Sequence, residues 1–474
     1  MQLMSRESSK LIALCSLTLV GALISLSSIG LAEETLDEVL RDLRAVGAAK
    51  TDSDGQAVSL YLGNKASDDL LEKLRPLRKL KLLNLESKAI SQRGIDAIAD
   101  LESLESLTLY QMNSQEPPTL RNDSRPKVSL APVARLTKLT ELSAAECGLT
   151  SHDMVDLGRL TQLKSLRIEG NEISDLGVAA LKGLTNLESL NIAQSSWVNS
   201  RMQIGDGAMM FVAGFTKLRE LNLSRLPVTD EGFAKLSALG ELRNLNIVGT
   251  QVTGRGLKTL VSFPHLESFM ASDATIDDES MQYVGQCGEL TYLMLGGVGD
   301  EGFRHVAKLR KLKRITIEGQ RVTDAALANL TSLGELTHIE LRAPKITDDG
   351  LKSISQIKSL RRLDVWANGT AVFGRAQGGR FTAAGYGHLA KMPNLEELWV
   401  NNFNGTWTDL RELANLKVLH LMMPSISEDD VRQLQKALPN VQVSSATGAG
   451  GVAPLQRPVP RRAPQSPEGV IFYR

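Results

Sequence analysis

Leucine recurs along this chain in a fixed phrase, L-x-x-L-x-x-L-x-L. The phrase reads LTKLTELSA from Leu136, LTQLKSLRI from Leu160 and LTNLESLNI from Leu184, each step being 24 residues. It returns at Phe215, Leu239, Phe263 and Cys287 at the same interval, then at Leu309, Leu333 and Ile357 after one step of 22 residues. Leu77 and Leu101 carry it upstream, Met392, Leu413 and Leu438 downstream, and Val58, Leu60 and Leu62 form a degenerate first turn. The closing L-x-L puts two apolar side chains on one face of a short strand and the residue between them on the other. A second element follows in many units, as Val228-Thr229-Asp230, Val322-Thr323-Asp324 and Ile346-Thr347-Asp348. Thr or Ser there supplies an acceptor for the free amides of a helix start. Phe233 and Leu236, or Leu257 and Leu260, then return to the core at helical spacing. One such unit cannot cover its own apolar face; a stack of them can.

The pattern resembles the leucine-rich-repeat family over about residues 57–443, in its 24-residue bacterial form akin to the ribonuclease-inhibitor-like and GALA classes. The resemblance implies an α/β fold: a leucine-rich-repeat solenoid of roughly 14–15 repeats, with a curved parallel β-sheet inside and helices outside. Two units depart from the rule. Val128–Val133 and Trp407–Leu413 look like the shorter type, in which an extended or 3₁₀ segment replaces the helix.

Stack ends need covers. Thr35-Leu36-Asp37-Glu38 is a capping-box signature, and Leu36, Val39, Leu40 and Leu43 make one helical stripe, so residues 35–46 are expected as a capping helix within a cap of 33–56. Asp52-Ser53-Asp54-Gly55 lacks the remaining ligands of a calcium loop and is expected as a polar turn. At the other end, Val431, Leu434, Ala437 and Leu438 mark a last helix, and Val441 and Val443 an edge strand. Three intervals are too long, with the excess at Glu116–Pro126, around Trp197–Met202 and at Gly369–Arg380; in solenoids such insertions form loops on one face, often the binding face. From residue 444 to 474 a Gly/Ala stretch and then Pro454, Pro458, Pro460, Pro464 and Pro467 with Arg457, Arg461 and Arg462 are expected to stay disordered or polyproline-like.

Residues 1–32 have the layout of a secretory signal: Arg6 and Lys10, an apolar stretch from Leu11 to Ile29, then Gly30-Leu31-Ala32. Cleavage there gives an exported chain in the periplasm, on the cell surface or outside; retention makes the segment a membrane anchor, and both outcomes stay open. Cys147 and Cys287 fall six repeats apart, about 30 Å at the spacing of stacked strands, beyond the about 7 Å reach of a disulfide.

Composition agrees with a thin layered core: 42% hydrophobic residues but only 4% aromatic. Lys+Arg and Asp+Glu are equal at 54 each, which leaves no electrostatic footprint for nucleic acid. Searches for G-x-x-x-x-G-K-[ST], G-x-S-x-G and H-E-x-x-H find nothing, and the six His have no ligand spacing. The acidic pairs Asp277-Asp278, Asp348-Asp349 and Asp429-Asp430 fall in the helix-start slot, where capping accounts for them. No cofactor, metal or catalytic residue is expected, and binding is the expected role, with a protein partner ahead of a glycan.

The residues between the paired leucines form a column: Tyr61, Asn84, Thr108, Ser143, Arg167, Asn191, Asn222, Asn246, Met270, Met294, Thr316, Glu340, Asp364, Trp399 and His420. Its last part turns aromatic and charged. Trp366, Trp399, Arg362, Asp364, Glu397 and His420, with Phe373, Arg375 and Arg380 of the Gly-rich insertion, are the candidate partner-binding residues, since Trp and Arg are enriched at interface hot spots. Trp407 is assigned to packing, and Met270 with Met294 to a smaller adhesive strip. Two rival roles stand beside an exported scaffold. One is a cytosolic F-box-type substrate receptor of a ubiquitin ligase, from the likeness of its repeats; the other is an enzyme built on Asp and Arg of the inner face.

Overall fold

The computed structural model describes residues 36–446, apart from 46–47, 55, 64–65, 87–89, 111–127, 196–201, 273–274, 367–380, 402–406 and 423–426. The expected signal segment, nearly all of the three insertions and the tail beyond residue 446 therefore lie outside the described residues, as do Phe373, Arg375 and Arg380. Two compact units make up the rest, one ending at Leu218 and the other beginning at Arg219.

The first unit opens with a helix at Leu36–Ala45, acidic in its first turn and closed by Arg44 near its C-terminus, an arrangement that suits the helix dipole. Its strands are β1 (Ala49–Thr51), β2 (Ala57–Gly63), β3 (Leu82–Glu86), β4 (Ser106–Tyr110), β5 (Glu141–Ala145), β6 (Ser165–Arg167) and β7 (Ser189–Asn191). Strands β2 to β7 pair in parallel in chain order. β1 adds an antiparallel edge to β2 that the sequence pattern does not announce. Between them the Asp52 carboxylate accepts from the amides of Asp54 and Gln56 at 3.0 and 2.9 Å, the expected polar turn.

The second unit contains β8 (Glu220–Asn222), β9 (Asn244–Asn246), β10 (Ser268–Ala271), β11 (Tyr292–Gly296), β12 (Arg314–Glu318), β13 (His338–Arg342), β14 (Arg362–Trp366), β15 (Glu397–Asn401), β16 (Val418–Met422) and β17 (Gln442–Ala446). Each pairs in parallel with the next. β17 runs three residues past the expected end of the repeats. The inward positions of these strands are buried in both units: Leu83, Leu107, Leu142, Leu166 and Leu190 in the first, and Leu221, Leu245, Phe269, Leu293, Ile315, Ile339, Leu363, Leu398 and Leu419 in the second. The apolar face of every strand is therefore covered, and each rung depends on its neighbours for part of that cover.

Helix starts hold the repeats together more directly than capping alone would. The hydroxyls of Thr229, Thr323, Thr347 and Thr382 accept from a backbone amide of their own helix, as expected. The aspartate after the threonine does something else. Asp324 accepts from the amide and hydroxyl of Thr347 in the next repeat at 2.9 and 2.6 Å. Asp230 does the same to Thr253, Asp300 to Thr323, Asp348 to Thr382 and, in the first unit, Asp68 to Ser91. Of the acidic pairs expected to cap, Asp348 belongs instead to this repeat-to-repeat ladder, whereas Asp430 caps its own helix start in a box with Ser427 and Asp277 accepts from the Ser280 amide. Glycine two residues beyond several of the ladder aspartates is part of the ladder, because a Cβ on Gly350 would collide with the Asp324 carboxylate and stand 2.6 Å from Ile346 Cγ2.

The two short repeats carry 3₁₀ turns at Ala131–Arg135 and Trp407–Asp409, as expected. A third, at Gly256–Ser262, takes the place of an expected α-helix. Leu257 and Leu260 are buried either way, since residues three apart eclipse one another in a 3₁₀ turn. Cys147 and Cys287 are buried free thiols. Among the described residues no helix is long and apolar enough to cross a membrane.

Candidate functional site

Strand register brings the sequence column into line. Tyr61, Asn84, Thr108, Ser143, Arg167 and Asn191 are successive partners in the first unit. Asn222 through His420, and then Ser444, are successive partners in the second. The column does not have one character. Met270 and Met294 are adjacent but only 5% and 3% exposed, so the adhesive strip expected there is absent: their flexible side chains pack down among their neighbours. Trp407 starts its 3₁₀ turn half-buried instead of filling a core slot.

From β12 to β16 the face opens and its side chains form one connected group. Arg362 on β14 pairs with Asp364 at 3.0 Å and with Glu397 on β15 at 3.3 Å. Its guanidinium also lies 5.1 Å from the centre of the Trp399 ring. His420, from β16 on the other side, stacks on that ring at 3.8 Å. Trp399 is thus held between a guanidinium and an imidazole, while its indole N–H donates to Glu397 at 2.6 Å. His420 is anchored in turn by Ser444 through Nδ1, and its Nε2 stands 3.6 Å from Glu397.

Trp366 belongs to a second group. Register sets Asp364 against Trp399 and Trp366 against Asn401, so the two tryptophans occupy different columns of adjacent strands. Trp366 lies under Arg342 at 5.1 Å, and Arg342 pairs with Glu318 at 2.9 Å and Glu340 at 2.5 Å. The candidates Arg362, Asp364, Glu397, Trp399 and His420 are therefore brought together, and Trp366 stands one column away. Glu318, Glu340 and Arg342 complete the surface. Arg342, Glu318 and Trp366 occupy the position after the second apolar residue of each strand, a column whose sequence signal is its own run of charged and aromatic residues.

Burial and mutual charge shift these groups. Glu397 is held down to about 2 by His420, against the opposing effect of burial and with help from the Trp399 N–H and Arg362. Burial raises Asp364, Arg362 opposes that rise, and the carboxylates of Glu340 and Glu397 add to it. His338 on β13 is pushed to about 4 by burial and by the nearby Arg314 and Arg362, so it is neutral at physiological pH. The result is a partly exposed shelf whose arginines, carboxylates and His420 are held by one another. Such a surface can bind with little further ordering. Among the described residues no group of three or more His, Cys, Asp or Glu could hold a metal ion.

No family model matches this chain, and no curated protein matches it. Solved structures do. A leucine-rich-repeat protein of Leptospira interrogans is similar with a TM-score of 0.50 at 17% identity, over 88% of this chain and 100% of that one. An internalin from Listeria monocytogenes is similar with a TM-score of 0.49 at 20% identity, over 75% of this chain and 93% of that one. The layered parallel strands, the repeated buried leucines and the first of these likenesses agree that the chain has the leucine-rich-repeat fold.

Proposed function

We propose that this chain is an exported scaffold that binds a protein through the open strand face of its second unit. The observation that carries the reading is the Arg362–Trp399–His420 stack with Glu397 beneath it, a prearranged Arg and Trp surface of the kind that dominates binding energies. The adjoining Arg342–Trp366 pair extends it. Binding on such a face needs no chemical step, and the reading assigns no catalytic residue. The N-terminal apolar segment supports export, with cleavage after Ala32. The cytosolic ubiquitin-ligase alternative draws no support from the structural likenesses.

The test is capture by the immobilised mature chain from the extracytoplasmic fraction of its own source, with cross-linking and mass spectrometry. Trp366→Ala with Trp399→Ala should reduce recovery of specific partners at least tenfold, a loss of about 1.4 kcal/mol, while Tyr61→Ala in the first unit should not. Equal recovery by the double variant and the parent chain refutes the reading. N-terminal sequencing of the chain recovered from that fraction tests export, which fails if the chain is found only in the cytosol.

A further inference from the structure

We propose that the C-terminal tail, residues 447–474, lies across the open side of β8–β12 and covers it. The inference goes beyond partner binding and stands whether or not the shelf binds a protein. Its basis is the burial of short side chains on that side. In the outward column that begins each strand, Ser106, Ser165 and Ser189 of the first unit are partly exposed, whereas Ser268 on β10 is 6% exposed. In the middle column, Asn84, Thr108 and Asn191 are partly exposed, whereas Asn222, Asn246 and Thr316 are 5%, 3% and 2% exposed. A methionine hides by folding down on its neighbours. Serine, threonine and asparagine are too short for that, so other chain must stand over them. Among the described residues no element outside the sheet runs close along these strands. The cover is then supplied by chain outside them.

Charge and hydrogen bonding select the tail. On their open side β9–β11 carry no charged residue. Glu220, Glu318 and Glu340 stand at the borders of the strip, and each has a further polar or electrostatic contact besides those with Asn244, Arg342 and Thr316. The tail matches this layout, with no charge from Thr447 to Gln456 and then Arg457, Arg461 and Arg462. Its prolines favour a polyproline-like form, which has no internal hydrogen bonds and whose carbonyls need donors. Asn222 and Asn246 accept the amides of Ser224 and Val248 through Oδ1, both at 3.0 Å, which leaves their NH₂ ends to act as those donors.

The tail is also long enough. From β17 back to β12 is about 24 Å and to β8 about 43 Å, at about 4.8 Å per strand. The 28 residues after Ala446 span about 87 Å in polyproline form, at about 3.1 Å each. The apolar stretch from Leu11 to Ile29 matches less well, since it offers no cation to the carboxylates at the borders.

The experiment compares thiol labelling of the full mature chain, residues 33–474, with that of a chain ending at Ala446, which keeps every described strand. Ser268→Cys should react about tenfold more slowly in the full chain, since thiol reactivity follows exposure. Thr316→Cys repeats the measurement at a second position in case the first change disturbs packing. Ser165→Cys, in the matching column of the first unit, should react alike in both chains. Peptide mass spectrometry keeps these labels apart from Cys147 and Cys287. A synthetic peptide of residues 447–474 added to the shortened chain should restore protection. Arg457→Gln, Arg461→Gln and Arg462→Gln together should weaken protection severalfold in the full chain, as should salt raised from about 50 mM to about 300 mM. The proposal is overturned if both probes react equally with and without the tail, or if the triple variant is as protected as its parent. Protection that grows with protein concentration assigns the cover to a second copy, and protection confined to a chain that retains residues 1–32 assigns it to that segment. Either result overturns the proposal as well.

Discussion

Replacing Asp324 with Ala should loosen the second unit without touching its apolar core. In the folded chain this carboxylate accepts two hydrogen bonds from the next repeat, from the Thr347 amide at 2.9 Å and hydroxyl at 2.6 Å. Hydrogen bonds to a charged group are worth about 1.5–3 kcal/mol each, but both of these are exposed to solvent, so the lower end applies. The expected loss is about 2–3 kcal/mol for the pair. Asn at the same position keeps one acceptor for the amide, and the Thr347 hydroxyl can turn to accept from the new NH₂ group, so Asp324→Asn should cost about 1 kcal/mol. Thr347→Val removes the hydroxyl from both the ladder and its own cap, where it accepts from the Asp349 amide at 3.3 Å. The double variant should then cost less than the sum of the singles by about 1 kcal/mol, the signature of a direct interaction. Urea unfolding followed by tryptophan fluorescence measures the totals, and hydrogen exchange at the Thr347 amide places the loss. An Asp324→Ala change within about 0.5 kcal/mol of zero, the range of an ordinary surface substitution, with additive singles, would refute the ladder as a source of stability.

Gly350→Ala gives a test of opposite sign to helix propensity. A free helix position gains up to about 1 kcal/mol from this change, whereas collision with the Asp324 carboxylate should turn it into a loss of about 1–3 kcal/mol, and a raised melting temperature would contradict the packing described. Glu397 sets an acid limit. Its folded pKa, about 2, lies below the ordinary 4.5, so its contribution is complete above about pH 4.5 and is lost as pH falls toward 2. The shift corresponds to at most about 3 kcal/mol, reduced to on the order of 1–2 by solvent around this partly exposed group. Glu397→Gln should flatten the melting profile across that window, and an unchanged profile would count against the His420, Trp399 and Arg362 contacts. Burial raises the Cys287 thiol to about 11, so it should resist a thiol reagent at neutral pH until the chain unfolds; rapid labelling of the native protein would show that the site opens.

Much of this architecture is legible because its rule is short. Two apolar residues around one polar residue fix a strand, its facing and its register, and the column from Tyr61 to His420 could be written down in advance. The threonine of each helix start was legible as a cap. The aspartate was not fully so, because its partners lie one repeat later and only a three-dimensional stack shows that they meet. β1 is three residues long, too short for alternation to show. Met270 and Met294 are buried although their positions face the open side of the sheet, because position does not decide exposure when a long side chain can fold against its neighbours. At the site, the middle column and the outward position two residues before it give Trp399, Arg362 and Glu397. Arg342 and Glu318 lie one column over, and each arginine pairs with a carboxylate two residues away on its own strand and with the one directly opposite on the neighbouring strand, a choice of side-chain direction that spacing alone does not give.

The clamp from Asp348 to Thr382 spans 34 residues, where its counterparts from Asp324 to Thr347 and from Asp230 to Thr253 span 23. Asp348 and Thr382 are nonetheless tied to each other in the same way as in an uninterrupted repeat. Length and composition of the extra chain can therefore drift without disturbing the strands on either side. Selection can remodel the sequence between Trp366 and Thr382 while the framework on either side stays constant.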